Sequence, residues 1–258
     1  MQRTPRVLQD ACFALLVSII VGLAAAAGAQ AGGAQPAGPR NARDRAPIDL
    51  TGYWVSVVTQ DWRWRMVTPA KGDYGSIPIT LEAKKAGDSW DPAKDVAAGE
   101  ACKSYGAPAL MAVPTRLRIG WQDENTLKIE TDAGTQTRLF RFSSSVPPGS
   151  AATWQGESRA EWESPRDARG ARPGSGSLKV VTKRLRPGYL RRNGVPYSAD
   201  AVLTEYWDLA TESNGDRWVT LTSTVEDSRY LREPFVTVLQ FKKEPDGGKW
   251  DPTPCSAK

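Results

Sequence analysis

Residues 116–130, Arg116-Leu117-Arg118-Ile119-Gly120-Trp121-Gln122-Asp123-Glu124-Asn125-Thr126-Leu127-Lys128-Ile129-Glu130, decide the fold class. Leu117, Ile119 and Trp121 alternate with Arg116, Arg118 and Gln122, and Leu127 and Ile129 alternate with Lys128 and Glu130. Successive side chains of a strand point to opposite faces, so each run reads as a half-buried strand. Asp123-Glu124-Asn125 between them carries turn chemistry. Two strands joined this tightly are antiparallel neighbours.

The same alternation recurs outward from this pair. It covers residues 52–59, 135–142, 158–163, 178–184, 201–209, 218–225 and 235–243, and the four residues Trp62-Arg63-Trp64-Arg65. Asp132-Ala133-Gly134 and Ser213-Asn214-Gly215-Asp216 supply further turns. About ten short strands at close spacing predict a mainly β chain, an antiparallel meander closed as a barrel or folded as a sandwich. Helix is scarce. Residues 80–88 read as a short helix with Thr80 as N-cap, and residues 93–105 as a second, together capping the meander. A short helix or turn follows at 227–231. Residues 164–177 form a polar, basic loop between two strands.

The N-terminal end reads as a secretory signal over residues 1–29. Arg3 and Arg6 precede an apolar run of about 15 residues, short of the roughly 20 a membrane span needs. Small residues around Ala29 and Ala31 suit cleavage; a retained anchor is the alternative. Residues 30–47 read as a flexible leader rich in Gly, Ala, Pro and Arg, and residues 48–258 as one β-barrel domain. This predicts a periplasmic or secreted protein with no membrane span after cleavage. Losing Arg3, Arg6 and Asp10 takes the net charge from +5 to +4. A balance that mild, with charges interspersed, predicts a solvated surface and no nucleic-acid partner.

Of the three Cys, Cys12 leaves with the signal. Cys102 and Cys255 remain, and two Cys in an exported chain most simply form one disulfide. Each follows a Trp-Asp-Pro triplet, Trp90-Asp91-Pro92 and Trp250-Asp251-Pro252, read as turn starters.

The chain has no His, which excludes Ser-His-Asp and Cys-His catalysis and His-ligated metals. No phosphate loop, dinucleotide fingerprint, nucleophile elbow or metal loop is present, so no cofactor or metal is expected. Candidate site residues come from ten Trp and from charges on apolar strands. Trp54, Trp121 and Trp218 sit in strand patterns and read as core. Trp62 and Trp64 alternate with Arg63 and Arg65: either the Trp face is core, or the Arg face lines a cavity and holds an anion. Glu205 shares a strand face with Leu203 and Trp207 and so points inward, where it needs a partner such as Arg138 or Arg141. Trp154, Glu161 and Trp162 complete the set. As ligand-binding residues, Trp62, Trp64, Trp154, Trp162 and Trp207 are expected as walls, with Arg138, Glu161 and Glu205 as orienting polar groups. Carboxylate acid/base chemistry at Glu161 or Glu205 is an alternative, although an enzyme is the less favoured class; a non-catalytic envelope interaction module is a third.

Asp49-Leu50-Thr51-Gly52-Tyr53-Trp54 resembles the opening Gly-x-Trp strand of lipocalin-like barrels. A second resemblance, to a family of uncharacterised exported bacterial proteins, is carried by Thr153-Trp154-Gln155-Gly156-Glu157-Ser158, Ala160-Glu161-Trp162-Glu163, Asn193-Gly194-Val195-Pro196-Tyr197-Ser198, Val202-Leu203-Thr204-Glu205-Tyr206 and Val225-Glu226-Asp227, and covers most of residues 49–255. These resemblances imply an exported lipocalin-like β-barrel and no particular activity. A barrel of that size holds one small, partly apolar or aromatic ligand.

Overall fold

The computed structural model describes residues 41–143, 151–164 and 175–257. The chain forms β1 (Gly52–Val57), a one-turn helix α1 (Trp62–Arg65), α2 (Leu81–Asp88), α3 (Pro92–Ala97), a 3-10 turn (Ala101–Tyr105) and α4 (Ala107–Leu110). Then follow β2 (Arg116–Asp123), β3 (Thr126–Thr131), β4 (Thr137–Arg141), β5 (Glu157–Glu163) and β6 (Ser177–Lys183). Last come β7 (Gly188–Arg191), β8 (Val195–Tyr197), β9 (Val202–Thr211), β10 (Arg217–Glu226) and β11 (Phe235–Glu244).

Nine strands close a barrel in the order β1-β11-β10-β9-β6-β5-β4-β3-β2. The expected fold class is therefore present. Closure pairs β1 with both β2 and β11 and leaves the barrel without an edge strand among the described residues. Every seam is antiparallel except one: β5 runs parallel to β4, with Phe140 opposite Ser158. The period-two pattern sets the register. Leu117 and Ile119, Leu127 and Ile129, Leu178 and Val180, Leu203 and Trp207, and Leu221 and Phe241 are all buried inside. Trp54 is core as expected, whereas Trp218 is only partly buried and lies beneath the Lys242 ammonium at 5.6 Å.

Trp62-Arg63-Trp64-Arg65 is not a strand. Asp61 takes a left-handed backbone (φ 51°) and turns the chain into α1. A helix rotates about 100° per residue, so the two Arg part company. Arg63 goes outward to Asp73 at 2.9 Å, and Arg65 is buried. β7 and β8 form a separate hairpin not expected from the pattern. Pro196 and the Asn193-Gly194 turn break alternation there. Gly194 has φ 86°, and a side chain on it would meet Trp90 at 2.3 Å.

One end of the barrel is stoppered by the segment before β1. Ile48 and Leu50 enter the core, and the Trp54 indole donates to the Leu50 carbonyl at 2.8 Å. The rings of Trp121, Phe142 and Trp162 cluster there, with centroids 5.1–6.3 Å apart. Residues 41–47 are thus not a free leader. Ala42 is fully buried, takes a hydrogen bond from the Trp162 indole at 2.8 Å, and donates to the Asn125 side chain at 3.0 Å. The Ala and Pro residues that suit a linker fit at the barrel end because they are small. Residues 1–29, 30–40 and the tip of the 164–177 loop at 165–174 lie outside the described residues.

The other end carries the short helices and the β7–β8 hairpin. Thr80 caps α2 through the Ala83 amide, and Asp91 caps α3 with Pro92 in its first turn. The expected helix over 93–105 breaks at Gly99 (φ 70°) into α3 and the 3-10 turn. Cys102 on that turn and Cys255 on the tail have their sulfurs 2.02 Å apart, at bonding distance as expected. Buried Asp95 accepts from the Trp90 indole, the Tyr189 hydroxyl and Lys103, tying helix to hairpin. Among the described residues, no helix is long and apolar enough to cross a membrane.

Candidate functional site

A cavity of about 60 Å³ lies at this capped mouth. Its floor is the inward ends of β10 and β11, at Ser223, Val225, Phe235 and Leu239. Its roof is Trp64 and Arg65 of α1 together with α4 and Met111, and Leu190, Arg191 and Arg192 form one side. By the measure in which a water needs about 10–15 Å³, the cavity holds about four to six water-sized groups. That is room for a small ligand or one end of a larger one. Farther along the axis the barrel is filled: Phe140 and Trp207 meet edge to face at 5.8 Å.

Three guanidinium groups and one carboxylate, Asp61, line the cavity. Arg65 is 6 % exposed and donates from Nε to the Ala112 carbonyl at 2.9 Å. Its Nη2 is buried without a partner. Arg191 is anchored on the Gly75 carbonyl and Ser76 hydroxyl at 2.8 and 3.0 Å and lies over the Trp64 ring at 4.9 Å. Arg192 donates to the Arg65 carbonyl at 3.2 Å. Burial lowers the Arg65 pKa, partly offset by Asp61. Burial holds Arg191 down at about 10, against the opposing pull of Asp61 and Asp73, so it is still charged at neutral pH.

A larger groove of about 300 Å³ opens between Ser56, Thr115, Arg116, Asp132 and Thr253. Its polar groups are committed to one another. Asp132 accepts from the Thr115 hydroxyl and from two backbone amides at 2.7–2.8 Å, and Arg116 pairs with Glu244 at 3.1 Å. It is a wide surface groove with satisfied walls, and the smaller cavity is the better candidate.

The residues expected to form the site are not brought together. Trp64 lines the mouth cavity, whereas Trp62 on the same helix turn is 66 % exposed. Trp154 is held under the Arg186 guanidinium at 4.4 Å, with its indole on the Pro187 carbonyl. Trp162 belongs to the stopper at the far end. Trp207, Arg138 and Glu205 lie inside the barrel wall. Glu205 points inward as expected, and Arg138 is its partner through two bonds of 2.8 and 2.6 Å. Arg138 also reaches Thr182, whose hydroxyl is 2.8 Å from that of Ser158. Glu161 stands on the outer face on Lys179 at 3.0 Å. The two carboxylates weighed for acid/base work therefore sit on opposite faces of the wall. Arg65 was one of the anion-holding pair considered for an Arg-lined cavity. Arg191, Arg192 and Met111 carry no periodic signal and were missed.

Among the described residues, no group of three or more His, Cys, Asp or Glu side chains is placed to hold a metal ion. No family model matches the chain, and neither a curated protein nor a solved structure matches it.

Proposed function

We propose that this is an exported, lipocalin-like barrel protein, working in the periplasm or outside the cell, that binds a small, partly apolar ligand at the capped mouth of its barrel. The observation that carries the reading is the mouth cavity itself. Met111, Leu190, Val225, Phe235 and Leu239 give it apolar walls, and charged groups come from the roof, at Arg65, and from one side, at Arg191 and Arg192. Apolar walls with a few placed polar groups are the ordinary makeup of a small-molecule site. The Cys102–Cys255 pair suits an oxidising compartment, which supports export.

Trp64 sits in the cavity lining, so its emission reports occupancy. Titration of the full chain with amphiphiles of up to about ten heavy atoms, charged and neutral, is expected to give a saturable change in Trp fluorescence. A true ligand at 100 times its Kd stabilises the fold by about 2.7 kcal/mol in thermal unfolding. Ala112→Phe, which fills the cavity from its partly buried roof, should abolish both effects while the circular dichroism stays unchanged. Absence of saturable binding across the panel would overturn the reading.

A further inference from the structure

We infer that the ligand of the mouth cavity is a small carboxylate, its charge met by the guanidinium groups of Arg65, Arg191 and Arg192 that line the cavity and its apolar part lying against Met111, Phe235 and Leu239. The inference rests on the ligand-binding reading of the same cavity and names the ligand's chemical class.

A guanidinium carries five N–H donors in a planar fork. Arg65 commits one, Nε, to the Ala112 carbonyl. Among the described residues, neither of its other two nitrogens has a hydrogen-bond partner, and Nη2 is cut off from water. A buried charge in that condition is costly, and proteins normally pair it. Its neighbours relieve it only in part. Asp61, the carboxylate in the lining, makes no ion pair with Arg65 among the described residues, and the other two charges there are cations. Arg191 and Arg192 are already anchored by their own bonds, so they shape and charge the site while Arg65 keeps free donors.

Three guanidinium groups against the one carboxylate of Asp61 leave the lining net positive, which selects an anion. The remaining lining selects against a bare oxyanion. A phosphate or sulfate needs polar partners all round, whereas Ile77, Met111, Leu190, Val225, Phe235 and Leu239 give the lining a large apolar share. A cavity of about 60 Å³ takes a carboxyl group with a few carbons behind it, and a long acyl chain would have to lie mostly outside.

The test pairs each anion with a neutral twin of the same shape. Butanoate and benzoate, butanamide and benzamide, and inorganic phosphate are titrated into the full chain at low salt, followed by calorimetry and Trp fluorescence. The carboxylates are expected to bind about 10- to 100-fold tighter than their amides, the range that charge-assisted hydrogen bonds supply. Arg65→Met should bring the carboxylates down to the level of the amides and leave amide binding unchanged; Arg65→Lys should fall between. Phosphate should bind more weakly than benzoate. If the amides bind as tightly as the carboxylates, or phosphate binds more tightly than both, the carboxylate assignment is wrong although the cavity does take a ligand. If no probe binds, the ligand-binding reading fails and this assignment falls with it. The wild-type ratio of carboxylate to amide needs no variant, so the test stands even if Arg65→Met does not fold.

Discussion

Two of the buried arginines stand under opposite conditions. Arg138, on β4, is buried in the middle and meets Glu205 bidentately, Thr182 at 3.2 Å and the face of Phe140 at 4.8 Å. Arg65, on α1, is buried at the mouth, and its side chain makes one hydrogen bond among the described residues. Both lose water on folding. Each keeps a buried nitrogen without a hydrogen-bond partner, Nε of Arg138 and Nη2 of Arg65, but Glu205 neutralises the charge of Arg138, whereas Arg65 has no ion pair among the described residues and lies beside a cavity. The difference separates structure from site: a buried charge that the fold itself completes is part of the wall, and one it leaves incomplete marks where something else fits.

The strongest way to break this comparison is to make the two arginines alike. Glu205→Leu leaves Arg138 buried and uncompensated, and is expected to cost about 3–5 kcal/mol in urea unfolding. The double variant Arg138→Met, Glu205→Leu should recover most of that loss, because a well-packed apolar pair of similar volume replaces a desolvated ion pair. A single variant within 1 kcal/mol of wild type would show that water reaches the middle of the barrel and that Arg138 is not sealed.

A second prediction concerns what keeps the mouth capped. The Cys102–Cys255 link joins positions 153 residues apart, and loss of so long a closed loop costs about 2–5 kcal/mol. In Cys102→Ser, Cys255→Ser, amide exchange should speed up first in the 3-10 turn and α4. Amides of β9 and β10, around Glu205, should remain protected at the global limit. Equal loss of protection at both ends would mean that mouth and middle unfold as one unit.

The nine strands of the barrel were legible because each has a wet and a dry face, and a period of two records that directly. Glu205 was legible for the same reason: a charge on the dry face of a strand demands a partner, and of the two the sequence allowed, Arg138 and Arg141, the fold supplies Arg138. Residues 62–65 were misread because four alternating residues also fit one helical turn, and only the left-handed Asp61 decides between them. The mouth escaped because it is assembled from α1, α4, the β7–β8 hairpin and two strand ends, far apart in the chain. No periodicity links Arg65 to Met111 or to Arg191; only closure of the barrel and docking of the cap bring them together.

The cap's own buried polar groups give a pH signature. Burial, with the Asp95 hydrogen bond adding to it against the opposing pull of Lys103, pushes Tyr189 up to about 12. Burial and the Asp88 hydrogen bond do the same for Tyr74. Raised phenol pKa values mean that the unfolded chain loses these protons first, near pH 10. Their contribution is full below about pH 10 and is lost as pH rises to about 12. Tyr189→Phe should be less stable than wild type by about 1 kcal/mol at neutral pH, through its lost bond to Asp95, and the gap should close over that window. A gap that stays constant to pH 12 would show that Tyr189 ionises freely in the folded protein.

The smallest expected effect is the most discriminating. Arg65→Met removes one hydrogen bond, to the Ala112 carbonyl, and also removes a buried charge that Asp61 offsets only in part in the free protein. The lost bond is worth about 1 kcal/mol, and relief of the desolvated charge acts in the opposite direction. The thioether of Met occupies much of the same volume and adapts to irregular gaps. Stability in urea should therefore stay within about 1 kcal/mol of wild type, or rise. A loss of 3 kcal/mol or more would put Arg65 in the same class as Arg138, completed by the fold. The mouth would then contain no unfinished charge, and its cavity would be left with apolar walls alone to attract a ligand.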